Sequence, residues 1–180
     1  MELIDSLNLT ESTEINFFIS DYNGVKYANI RKFVKSERYT GPTQQGITLT
    51  KEQLIEVVSA LESFSGKENV EDEVDLLEIN INEEKFIKVS IKFYKGHYYL
   101  DIRLFYKTDK YSGPSKKGIS IPIELFSNFT VCSKKMLDLF NGEEVKAQTI
   151  EVNEIDDSEI KIINASNSIK GIPNKYAKYF

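Results

Sequence analysis

ISDYNGVKYANIRKFVKSERYTGPTQQGI, Ile19 to Ile47, aligns without a gap to IKFYKGHYYLDIRLFYKTDKYSGPSKKGI, Ile91 to Ile119, so that position 19 matches position 91 and the offset of 72 holds to the end. Ile, Tyr, Gly, Arg, Phe, Lys and Pro recur at matched positions, including the glycines and the proline that punctuate turns. An internal repeat of this length decides the architecture before any element is assigned, because each copy must fold in the same way.

Within each copy the pattern is one of strands. Asn23-Gly24 and Lys95-Gly96 supply the positive-φ residues of a two-residue hairpin turn, flanked by runs of Ile, Val, Tyr and Phe. Gly41-Pro42 and Gly113-Pro114 predict a second turn, ending at Gly46 or Gly118 ahead of the short strands Ile47–Leu49 and Ile119–Ile121. A helix then follows. Thr50 stands as N-cap with Gln53 three residues on, and Leu54, Val57, Val58 and Leu61 give one apolar face through about Phe64. In the second copy Pro122 suits the first helical turn, and an apolar pattern from Leu125 through Phe140 ends near Gly142. The expectation is an α+β fold of two β-β-β-β-α repeats, curved antiparallel sheets each with a helix. The first repeat spans 15–66, an acidic linker 67–84, the second repeat 85–141, and an acidic segment and tail 142–180. Part of the linker, Asp75 to Asn82, has the character of a strand.

The formal net charge of −5 hides a segregation. Between Lys85 and Gly118 lie nine Lys or Arg and two acids, whereas Glu62 to Glu84 holds nine acids against one lysine, and Glu143 to Glu159 seven acids against Lys146. A basic module set between acidic segments remains compatible with an anionic partner, since phosphate binding is a local electrostatic matter. Strand alternation puts His97, Tyr99, Asp101, Arg103, Phe105 and Lys107 on one face, opposite Tyr98, Leu100, Ile102, Leu104 and Tyr106. Interleaved aromatics and cations suit a single strand, whose unpaired bases stack while Lys and Arg hold phosphates.

The stretch VSIKFYKGHYYLDIRLFYKTDKYSGPSKKGISI resembles the single-strand-binding domain of the positive cofactor four family of transcriptional coactivators. The features that carry the resemblance are F-Y-K-G, then D-I-R followed by an aromatic pair, then G-P-S-K-K-G-I-S before a helix. It covers about Ile15 to Phe64 and Ile87 to Phe140. The resemblance implies that Lys92, Tyr94, Lys95 and His97 of the hairpin contact the strand, with Arg103, Tyr106, Lys116 and Lys117. The first-copy counterparts are Ser20, Tyr22, Asn23, Val25, Arg31, Val34, Gln44 and Gln45, of which Tyr22 and Arg31 keep the chemistry. Members of the family pair through their helices, so the two copies here are expected to form an intramolecular pseudo-dimer.

The chain is thus expected to bind single-stranded DNA in transcription, replication or repair, with transcription or replication proteins as further partners. RNA on the same scaffold, or a protein-interaction module that has lost its ligand, are the alternatives. No enzyme chemistry is expected: His97 is the only histidine, Cys132 has no histidine near it in sequence, and no glycine-rich phosphate loop or metal-ligand spacing occurs. No cofactor and no metal are expected. The single cysteine and the absence of an apolar leader or membrane segment predict an intracellular protein, nuclear in a eukaryotic setting and otherwise of the cytoplasm or nucleoid.

Overall fold

The computed structural model describes residues 2–65 and 70–142. Two four-stranded antiparallel sheets, each in sequential order, are each followed by a helix. The first comprises β1 (Glu2–Thr10), β2 (Thr13–Tyr22), β3 (Val25–Lys35), β4 (Thr40–Leu49) and α1 (Lys51–Phe64). The second comprises β5 (Val74–Asn82), β6 (Lys85–Tyr94), β7 (His97–Lys107), β8 (Ser112–Pro122) and, after one 3-10 turn, α2 (Phe126–Phe140). These are the two repeated β-β-β-β-α units.

Both sheets begin earlier than the expected limits of 15 and 85. The segment 67–84, read as a linker, carries β5, the first strand of the second sheet. β5 covers the stretch Asp75 to Asn82 expected to have strand character: Ile79 is buried, while Asp75 and Glu78 stand opposite Ser90 and Lys88. The expected tail, 142–180, lies outside the described residues apart from Gly142.

The hairpin turns fall where expected, with Asn23 at φ 53° and Lys95 at φ 49°, each followed by a left-handed glycine. Gly41-Pro42 and Gly113-Pro114 do not form a turn. They lie inside the continuous strands β4 and β8, and the chain reverses earlier, at Ser36–Tyr39 and Thr108–Tyr111. Proline is tolerated there because β4 and β8 are edge strands. Tyr39 and Tyr111 donate their hydroxyls to the Pro42 and Pro114 carbonyls, both at 2.7 Å. What the glycines and proline bracket is a bulge: Arg31 faces Gly46 and Phe33 faces Pro42, so Thr43, Gln44 and Gln45 oppose Lys32 alone, and Ser115, Lys116 and Lys117 repeat this opposite Leu104. Gly118 is required at its base, because a Cβ there would sit 2.8 Å from the Ile102 carbonyl oxygen.

The capping box at Thr50 and Gln53 forms with both hydrogen bonds, and Leu54, Val57, Val58 and Leu61 are the buried face of α1. The helices join the repeats. α1 packs on α2, α2 lies against β1 and β2, and α1 lies against β5. Phe17 of β2 meets Phe129 of α2 with ring centroids 5.3 Å apart, and Phe64 meets Phe126 at 5.4 Å. Buried residues of both repeats form one core. Each sheet therefore presents one face to this shared core and leaves the other for solvent or a ligand. Cys132 is buried in α2, where desolvation pushes its thiol up to about 12, the setting of a structural thiol.

Candidate nucleic-acid interface

The open face of the second sheet is set by the β6–β7 register. Cross-strand pairs are Lys92 with Tyr99, Ser90 with Asp101, Lys88 with Arg103 and Phe86 with Phe105. Phe86 and Phe105 stack at 5.2 Å with their planes 19° apart. Lys92, Tyr94, Tyr99, Arg103, Phe105 and Pro114 line a hollow of about 380 Å³ on this face. Tyr94 and His97 flank the hairpin turn, and the Lys95 ammonium lies 5.2 Å from the centre of the exposed Tyr94 ring.

Two of the residues singled out from sequence are placed differently from the rest. Tyr106 points to the opposite face from Arg103, since β7 pairs regularly with β6, and it stands across from Lys85, whose ammonium is 6.0 Å from its ring. Arg103 faces the hollow but is already clasped: Nε donates to Asp101 Oδ2 at 3.0 Å, Nη2 to Asp101 Oδ1 at 2.8 Å and Ser120 Oγ at 3.1 Å, and Nη1 to the Ser115 carbonyl at 3.1 Å. Ser120 also donates to Asp101. With four of its five donors engaged, Arg103 holds the bulge in place. Lys116 and Lys117 project from that bulge, both exposed and without an ion pair among the described residues. Tyr99, Phe105, Lys88 and Ser120 complete the face. The alternation along β7 already placed Tyr99 and Phe105 beside Arg103, and that was the signal available for them.

Acids border this face. Lys88 pairs with Asp75 at 2.7 Å and Lys92 with Glu73 at 3.3 Å. The Phe93 backbone N–H donates to Glu73 at 3.0 Å, and this bond, with that of Lys92, holds the Glu73 carboxyl below its ordinary range. Tyr98 donates to the Glu71 carbonyl. The segment before β5 is thereby fastened along the hairpin.

The open face of the first sheet keeps the shape and loses the charge. Ser20, Asn23, Val25, Gln44 and Gln45 stand where the second sheet has Lys92, Lys95, His97, Lys116 and Lys117. Tyr22 is exposed beside its turn, and Phe18 meets Phe33 edge-on at 6.4 Å. Asn29 replaces Asp101 and bonds Ser20 and Thr48, at 2.7 and 2.9 Å, in place of an arginine. Arg31 keeps the bulge contact, Nη1 to the Thr43 carbonyl at 3.1 Å, without the carboxylate. Lys32, on the core side of β3, is 4% exposed, and desolvation lowers its ammonium to about 8.

Among the described residues no helix is long and apolar enough to cross a membrane, and no group of three or more potential metal ligands occurs. Comparison with curated proteins gives no match. Among solved structures, the chain is similar to a PC4 homologue from Burkholderia pseudomallei, with 24% identity and a TM-score of 0.32 over 42% of this chain and 97% of that one. The family model of Transcriptional Coactivator p15 (PC4) matches residues 9–60 and again 81–130, once in each repeat. The chain therefore belongs to the Transcriptional Coactivator p15 (PC4) family, as a tandem of two of its domains.

Proposed function

We propose that the chain binds single-stranded DNA, without catalysis, and acts in transcription, replication or repair. The observation that carries this reading is the hollow of the second open face, where Lys92 stands with Tyr94 and Phe105 over the buried Tyr99, beside the Arg103–Asp101 clasp. Aromatic rings offer a stacking surface only to bases that are not already stacked in a duplex, worth about 1–3 kcal/mol per base, and the lysines supply phosphate contacts. Family membership supports the same reading. Tyr94, Lys95 and His97 at the hairpin and Lys116 and Lys117 on the bulge extend the surface at its two ends. Lys88 and Lys92 contribute once a phosphate displaces Asp75 and Glu73.

The test is fluorescence anisotropy with a labelled single strand. Lys92→Gln with Lys95→Gln is expected to weaken binding about tenfold or more at low salt, and Tyr94→Ala by a similar factor, with unchanged circular dichroism. Wild-type affinity in both variants would overturn the assignment of this face.

A further inference from the structure

Three hollows share lining residues across the seam between the repeats. The hollow of the second open face shares Arg103, Pro114 and Ser120 with a seam groove of about 470 Å³. That groove shares Gln44 and Lys116 with a second seam groove of about 520 Å³. The two seam grooves are pseudo-symmetric, with Arg31 and Gly46 in one where Arg103 and Gly118 stand in the other. They differ in their floors. Lys32 lines the first, whereas its counterpart Leu104 joins Ile47, Ile81 and Ile87 in the second.

The second groove thus has an aliphatic floor under a cationic rim of Arg31, Lys116 and Lys117, and among the described residues no acid lines it. Arg31 belongs to the first repeat and the two lysines to the bulge of the second. Lys116 and Lys117 therefore supply in trans the charge that Gln44 and Gln45 deny to the first repeat, and Arg31, with Asn29 in place of a carboxylate neighbour, has no ion pair among the described residues.

Resting on the single-strand reading above, we infer that one strand leaves the second open face, crosses the seam past Lys116, and places a nucleotide in this groove. Its base lies on Ile81 and Leu104, with the buried Ile47 and Ile87 beneath them, and its phosphates meet Arg31 and Lys117. Charge complementarity and continuity with the adjoining hollow choose the occupant: an unpaired nucleotide joins an apolar base to an anionic backbone, as the groove joins its floor to its rim. The chain then binds one strand across both repeats, and the first repeat takes part in spite of its lost lysines.

Ile81 tests this, because it is 45% exposed and lies outside the second open face, so that substitution there is compatible with folding. Ile81→Glu and Ile81→Lys are compared on single strands of about 6 and about 20 nucleotides, the shorter able to fill one face only. For the longer strand, Ile81→Glu is expected to weaken binding about tenfold and Ile81→Lys to strengthen it, while both match wild type on the shorter. A folding defect would weaken both variants on both strands. Wild-type binding by both variants on the longer strand overturns the seam path and leaves single-strand binding standing. Failure of the wild type to bind either strand overturns the underlying reading itself.

Discussion

Arg103 grips Asp101 with two parallel hydrogen bonds of 2.8 and 3.0 Å, while its repeat counterpart Arg31 stands beside Asn29 with no such grip. The same guanidinium latches the bulge through the Ser115 carbonyl, so it works first as a structural clasp. Arg103→Ala is expected to destabilise the fold by roughly 1–3 kcal/mol, because it leaves the buried Asp101 without its partner. Asp101→Asn, which copies the first repeat, is expected to keep most of the stability and raise strand affinity severalfold. Chemical denaturation and anisotropy on the two variants check both statements.

The acids bordering the second face act as built-in counterions. On the proposed single-strand reading, phosphate displaces Glu73 from Lys92 and Asp75 from Lys88. Glu73→Gln with Asp75→Asn is expected to tighten single-strand binding and to steepen the salt dependence, by about 0.7 in log–log slope for each lysine that becomes free to release a solution counterion. An unchanged slope would show that these lysines do not meet phosphate.

The contact of Phe17 with Phe129 joins the two repeats through one core. Phe129→Ala is expected to cost about 3–5 kcal/mol, and both repeats are expected to unfold in a single transition. Two separated transitions in calorimetry would contradict a shared core.

Lys32 carries a pH dependence whose sign follows from burial. Its folded value, about 8, lies below its ordinary value of 10.5, so the folded state gives up its proton first. The penalty for burying the charge is present in full below pH 8 and disappears as pH rises to 10.5, over which range stability increases. Lys32→Leu, copying Leu104, is expected to stabilise the protein by about 2 kcal/mol at pH 7, with the gain shrinking across that window. Urea titrations at pH 7 and pH 10 measure the difference.

Much of this fold was legible in the sequence, and the reasons are local. Repeated glycines at 24 and 96 require positive φ, and Thr50 with Gln53 can satisfy only a helix start. Gly41-Pro42 misled, because a glycine and a proline inside an edge-strand bulge have the same composition as a turn, and only the pairing of Arg31 with Gly46 distinguishes the two. The strand character of Asp75 to Asn82 was legible, and β5 forms there with Ile79 buried; its acids hid only that it opens the second sheet instead of lying in a linker. In the candidate site, alternation already set Tyr99 and Phe105 beside Arg103 and set Tyr106 on the other face, whereas the resemblance to a family favoured Tyr106. The clasp on Arg103 was present as an Asp and an Arg two residues apart on one strand face. The seam was not legible, because no local pattern reveals that the bulge of one repeat walls the groove of the other.

The central claim, that this surface recognises an unpaired strand, is tested most directly by titrating salt against binding of a labelled single strand of about 20 nucleotides and of the same sequence as duplex. Binding that strongly prefers the single strand, and whose logarithm falls linearly with the logarithm of salt concentration, is the expected result. No single-strand binding at low salt, or equal affinity for the duplex, would contradict it.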